Sequence, residues 1–206
     1  MSPMSLKGLK PQGRLERLPN NALRVLSPNK SMIVPENRIY SIMVAISENG
    51  VIALQSGELP FNIEADKKYY LGVIENKIWI QARKSFENGP KSELRTKHNI
   101  ILTNNTDYKP GLANSSTVHS IEGALKLASQ LTENDEEIFI GGGMNLYSQA
   151  LSFVDRLYMT RVHQSYIDGG AFFPAFDWKL WKQVKSQFHK NSQGPNFSIE
   201  IYQRKK

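Results

Sequence analysis

Four short apolar runs, IYSIMVAI (39–46), KIWIQA (77–82), NIILT (99–103) and EIFIG (137–141), recur between stretches of helical period, and this alternation constrains the fold most. Runs with apolar residues at successive positions suit strands covered on both faces, the condition of a parallel sheet. Between them lie NIEADKKYYLGVI (62–74), SIEGALKLASQL (120–131) and MNLYSQAL (144–151), which carry helical patterns. The second places Ser120 as N-cap before an apolar face of Ile121, Ala124, Leu125 and Ala128. DRLYMTRV (155–162), WKQVKSQF (181–188) and FSIEIYQRK (197–205) follow without long helices, and NSQGPN (191–196) is a turn cluster, so the last strands are expected to pair antiparallel. The expectation is an α/β fold on a mixed, mostly parallel sheet.

The chain of 206 residues suffices for one good core. Residues 1–37 differ in texture from 38–206: Pro3, Pro11, Pro19, Pro28 and Pro35 interrupt any sustained period, which predicts a mostly irregular extension. Lys7, Lys10, Arg14, Arg17, Arg24 and Lys30 face only Glu16 and Glu36 there, so more than half of the formal net charge of +7 lies in that segment. The basic surplus fits an anionic ligand as well as nucleic acid, and with no basic patch interleaved with aromatics a nucleic-acid partner is not expected. The prolines also argue against the amphipathic helix of an organelle-targeting segment. No run is long enough to cross a bilayer, and the N-terminus lacks a compact apolar signal. A soluble, cytoplasmic monomer is the default expectation.

The sequence contains no cysteine, which excludes disulfides, thiolate metal sites and cysteine nucleophiles. His98, His119, His163 and His189 are scattered without ligand spacing, so no metal site is expected.

Three stretches can carry chemistry. If Asn62 caps a helix, Asp66, Tyr70 and Val73 share one face, so Asp66 is either a solvated first-turn carboxylate or an acid held against apolar neighbours. Burial would raise its pKa and the helix N-terminus would lower it. In QARKSFEN (81–88), Arg83, Lys84 and Ser85 follow a strand directly and offer two cations and a hydroxyl to a phosphate, while LTNN (102–105) ends the next strand with small polar groups. Gly141, Gly142 and Gly143 join a strand to a helix without the GxGxxG spacing of a dinucleotide fingerprint, so on their own they mark a tight turn or a close approach to a ligand.

From about residue 38 the chain resembles dihydrofolate reductase, through VAISENGVIA, LPFNIEAD, QARKSFEN, HNIILT, IFIGGGMNLY, DRLYMTRV and FFP in the family's order and near its spacing. The resemblance implies a three-layer fold with an eight-stranded sheet, antiparallel C-terminal strands and flanking helices. It also implies NADPH as hydride donor and reduction of 7,8-dihydrofolate to tetrahydrofolate. Asp66 would bond the pterin and promote protonation at N5, supported by Thr160. Met43, Val44, Phe61, Tyr70, Leu94, Ile140 and Tyr147 would complete the substrate pocket. Ala45 and Ile52 would meet the nicotinamide carboxamide, and Gly141, Gly142, Gly143, Met144, Asn145, Leu146 and Tyr147 would receive the diphosphate and its ribose. Arg83, Lys84, Ser85, Thr103 and Asn104 would face the adenosine end, with Arg83 on the 2′-phosphate. The glycine corner is expected at Gly141-Gly142, with a cis peptide bond.

The chain departs from the family at several of these places. Ile52-Ala53 replaces an Ile-Gly pair, Phe61 a tryptophan, Ala82 a glycine and Gly170-Ala171 an Asp-Thr pair. The arginine that clamps the folate carboxylate is matched by Lys97, with Arg95 two positions earlier. A lysine keeps the charge without the two-pronged geometry. Two other readings fit part of the pattern: a same-fold reductase of another pterin or of a riboflavin-pathway pyrimidine, and a catalytically weakened relative that binds NADPH or folate.

Overall fold

The computed structural model describes residues 14–17, 23–27, 30–35, 38–133 and 136–205. Three short antiparallel strands come first: Arg14–Arg17 (β1), Leu23–Ser27 (β2) and Lys30–Val34 (β3). The expected irregular extension is therefore partly sheet. Its register pairs Leu23 with Val34 and Val25 with Met32. Val34 is buried in the main core, which ties β3 to the rest of the molecule.

The remaining strands are Ile39–Ser47 (β4), Val51–Leu54 (β5), Ile78–Ala82 (β6), His98–Leu102 (β7), Ser115–Val118 (β8), Glu137–Gly141 (β9), Arg156–Val162 (β10), Gly169–Phe172 (β11), Trp181–His189 (β12) and Phe197–Arg204 (β13). Eight of them form one sheet in the order β12-β13-β10-β4-β9-β6-β7-β8. Pairing is parallel from β10 through β8 and antiparallel at β10–β13 and β13–β12. β10 is thus the switch strand, parallel to β4 on one side and antiparallel to β13 on the other.

Helices Glu64–Ile74 (α1), Arg83–Asn88 (α2), Ile121–Leu131 (α3) and Met144–Ala150 (α4) cover the sheet. α3 buries the four expected apolar residues, and the Ser120 hydroxyl accepts from the Gly123 N–H at 3.0 Å. α1 starts differently from expectation: Ile63, not Asn62, holds the N-cap, without a side-chain cap. Ile63 is buried in a small cluster with Phe61 and Val162, so packing sets this helix start where polar capping does not. The main core lies on the α3 and α4 side, and a second apolar cluster of Met43, Ile74, Trp79 and Phe139 lies beneath α1. No helix among the described residues is long and apolar enough to cross a membrane.

β5 and β11 pair in a small antiparallel ribbon beside the C-terminal end of β4. Gly170 makes this approach possible: a Cβ there would lie 2.5 Å from Gln55 Cα and 2.6 Å from Gln55 N, backbone atoms that cannot step aside. Gly72 in α1 has open space instead. Gly170→Ala is expected to destabilise the protein by about 1–3 kcal/mol through overpacking, and Gly72→Ala to stabilise it by about 0.4–1 kcal/mol. Denaturant unfolding of both variants checks the pair.

Candidate active site

The parallel strands β6, β7 and β9 all end at one edge of the sheet, where a ligand crevice is expected in an α/β fold. A cleft of about 670 Å³ opens there, within the ~300–1,000 Å³ of small-molecule sites. Its floor comes from β4, β9 and β6, where the register sets Gly141 between Met43 and Gln81, and one wall comes from α1.

Asp66 reaches the cleft from the first turn of α1, and Thr160 from β10, where it pairs with Ala45 of β4. The Thr160 hydroxyl donates to Asp66 Oδ1 at 2.6 Å. Burial raises the Asp66 pKa above its ordinary value, and the Thr160 hydrogen bond opposes that rise. Among the described residues no other carboxylate lines the cleft. Beyond Asp66, the Tyr147 hydroxyl donates to the Met43 carbonyl at 2.9 Å, while burial pushes its phenol well above the usual range.

The glycine corner separates the two halves of the cleft. A Cβ on Gly142 would sit 2.8 Å from Ser85 Oγ, and a Cβ on Gly141 would collide with the Trp79 indole. Gly142 also accepts the Ala82 N–H at its carbonyl, 2.7 Å away. The cis peptide lies at Gly142–Gly143, one residue beyond the expected position. Gly141 is still part of β9, paired with both Met43 and Gln81, so the corner begins after it.

The dihydrofolate reductase family model matches residues 39–205. The chain belongs to the dihydrofolate reductase family. A dihydrofolate reductase of Staphylococcus haemolyticus is 31% identical over 166 residues, covering 80% of this chain and 95% of its own. That of Buchnera aphidicola subsp. Baizongia pistaciae is 37% identical over 144 residues, covering 70% and 82%. Among solved structures, the dihydrofolate reductase from Enterococcus faecalis complexed with NADP(H) and RAB-propyl superposes with a TM-score of 0.69 at 25% identity, over 82% of this chain and 97% of that one. This member of the dihydrofolate reductase family is an oxidoreductase that reduces dihydrofolate with NADPH.

Most residues expected at a reductase site meet in this one cleft. Met43, Val44, Asp66, Tyr70, Tyr147 and Thr160 line it, as do Ala45, Ile52, Arg83, Lys84, Ser85, Thr103 and the run from Gly141 to Leu146. Six do not. Phe61 packs in the satellite core against Tyr166, Leu94 lies against the cluster beneath α1, Asn104 is exposed, and Ile140 sits in the main core. Arg95 donates to the carbonyls of Ser92 and Leu94, and Lys97 pairs with Glu136 at 3.2 Å. Strand direction explains Lys97. It precedes β7, whose far end carries Thr103 into the cleft, and at about 3.3 Å per residue the two ends are well separated.

Other residues of the cleft were not anticipated. Trp79 and Gln81 point into it from β6, alternating with Ile78 and Ile80. Their signal was a glutamine inside a run that otherwise reads as uniformly apolar. Asn88, at the end of α2, donates to the Gly57 carbonyl at 2.9 Å and ties the segment after β5 to the helix that carries Arg83.

The raised pKa of Asp66 makes a stability prediction. As pH rises, the unfolded chain gives up this proton before the folded one does, so ionising Asp66 weakens folding. Wild-type stability is therefore expected to fall, relative to Asp66→Asn, as pH rises from about 4 through the raised pKa. Paired urea titrations across pH 4–8 check the sign.

Proposed function

We propose that the cleft binds the pterin of 7,8-dihydrofolate at Asp66 and NADPH across the glycine corner, and that Asp66 promotes protonation at N5 as C6 is reduced. The observation that carries this reading is the half-buried Asp66–Thr160 hydrogen bond. Oδ1 is held by Thr160, and among the described residues no hydrogen bond is made to Oδ2, which leaves that oxygen for N–H donors of a ligand. Desolvation keeps a proton available to the carboxyl at higher pH than an exposed aspartate allows, the tuning that acid–base work near neutrality requires.

The residues present fit NADPH. Gly142 leaves room that any side chain would take from Ser85, and the first turns of α2 and α4 have no side-chain caps; in α4 the Leu146 N–H is taken by the Gly143 carbonyl, which leaves those of Met144 and Asn145 for phosphate oxygens. The bound cofactor supplies a hydride from nicotinamide C4. The chain orients the two reactants, excludes water and places the Asp66 carboxyl beside the pterin. Met43, Val44, Ala45 and Ile52 form an apolar surface for the nicotinamide and pterin rings. Arg83 is the partner for the 2′-phosphate. Its Nη1 bonds both oxygens of Glu87 at 3.1 Å and its guanidinium lies 5.7 Å from the Tyr108 ring centre, so the phosphate has to share or displace Glu87.

Asp66→Asn is expected to lower kcat with dihydrofolate by about 10²–10⁴-fold. The loss should deepen towards higher pH, where solvent protonation of N5 fades. A variant that turns over like the wild type at pH 8 removes Asp66 from the chemistry. Arg83→Ala should raise KM for NADPH by about 10-fold or more while leaving KM for NADH nearly unchanged, since only NADPH carries the extra phosphate. Equal increases for both cofactors would take Arg83 off the 2′-phosphate.

A further inference from the structure

Trp79 and Gly141 are fitted to each other across neighbouring strands. β6 and β9 run parallel, and the Trp79 indole lies over Gly141, so that a Cβ on residue 141 would collide with indole atoms Cζ2 and Cη2. The indole packs against Tyr70 with ring centres 5.7 Å apart and shares the apolar cluster of Met43, Ile74 and Phe139. It lines the cleft, as Asp66 does, and is only 4% exposed.

Its Nε1–H is buried and has no hydrogen-bond partner. The same holds for Nε2 of Gln81, two residues along β6, also 4% exposed and also lining the cleft. Buried donors without acceptors are unfavourable, and phenylalanine or leucine would fill these volumes without that cost. Two orphaned donors on one strand face, both bordering the cleft, point to an acceptor that arrives with a ligand. The Asp66 carboxyl is complementary to these donors. Asp66 takes ligand N–H groups, which leaves the oxo and ring-nitrogen acceptors of a pterin without a partner at that carboxyl.

We infer that Trp79 is a specificity-determining residue of the substrate half: its indole is the floor on which the pterin ring system rests, and its N–H, backed by Gln81, donates to an acceptor of that ring. This rests on Asp66 being the acid that holds the pterin. The glycine at 141 is then a substrate-pocket adaptation, since it admits the indole.

Trp79→Phe keeps a ring over Gly141 and removes the donor. The expected result is a KM for dihydrofolate raised about 10-fold, with kcat within about 3-fold of wild type, KM for NADPH unchanged and the ligand-free Tm unchanged or higher. A KM for dihydrofolate within about 2-fold of wild type overturns the proposal, as does an equal rise in both KM values, which marks a structural role. Should Trp79→Phe not fold, Trp79→Leu fills much of the same volume without a donor, and the same selective rise in KM is required of it. Asp66→Asn measured alongside separates the two claims. If that variant loses turnover and the Trp79 variants are silent, only the Trp79 inference fails; if it keeps full turnover, both fall.

Discussion

The hydrogen bond from Thr160 to Asp66 is the point at which sheet, helix and chemistry meet. Thr160 stands on the strand where the sheet changes from parallel to antiparallel, and Asp66 on the first turn of the helix that covers that face. Each needs the other. A half-buried carboxyl without a donor would be costly, and a buried threonine hydroxyl without an acceptor would be orphaned. Their contact requires α1 to begin at Glu64, which the packing of Phe61 and Ile63 against Val162 enforces.

Much of this was legible from sequence because burial leaves a simple trace. The runs at 39–46, 77–82, 99–103 and 137–141 became β4, β6, β7 and β9 almost residue for residue, since a strand covered on both faces has nowhere to place polar groups. β8 was invisible for the opposite reason: SSTV is an edge strand of half-buried polar residues, with no periodic signal. β5 and β11 depend on each other across more than 100 residues, and no local pattern reports such a pairing.

At the site, Asp66, Thr160, Arg83 and the glycines were found through a colinear series of motifs, and the structure brings them to one cleft. Lys97 and Arg95 come from the resemblance as candidates for the folate carboxylate; Lys97 precedes β7 as expected, pairs with Glu136 and does not line the cleft, while Arg95 bonds the carbonyls of Ser92 and Leu94. Trp79 passed for core because its size fits the apolar run around it. Only the three-dimensional match with Gly141, and an indole nitrogen with nothing to bond, separates it from ordinary packing.

The central claim is that the fold shields Asp66 from water enough to make it a weakened acid. NMR titration of its carboxyl carbon in the ligand-free protein tests this most directly. The midpoint should lie above the ordinary aspartate value of about 3.9, and it should move further up in Thr160→Val, which removes the hydrogen bond that favours the charged form. A midpoint at or below the ordinary value, or one indifferent to Thr160, would contradict the account.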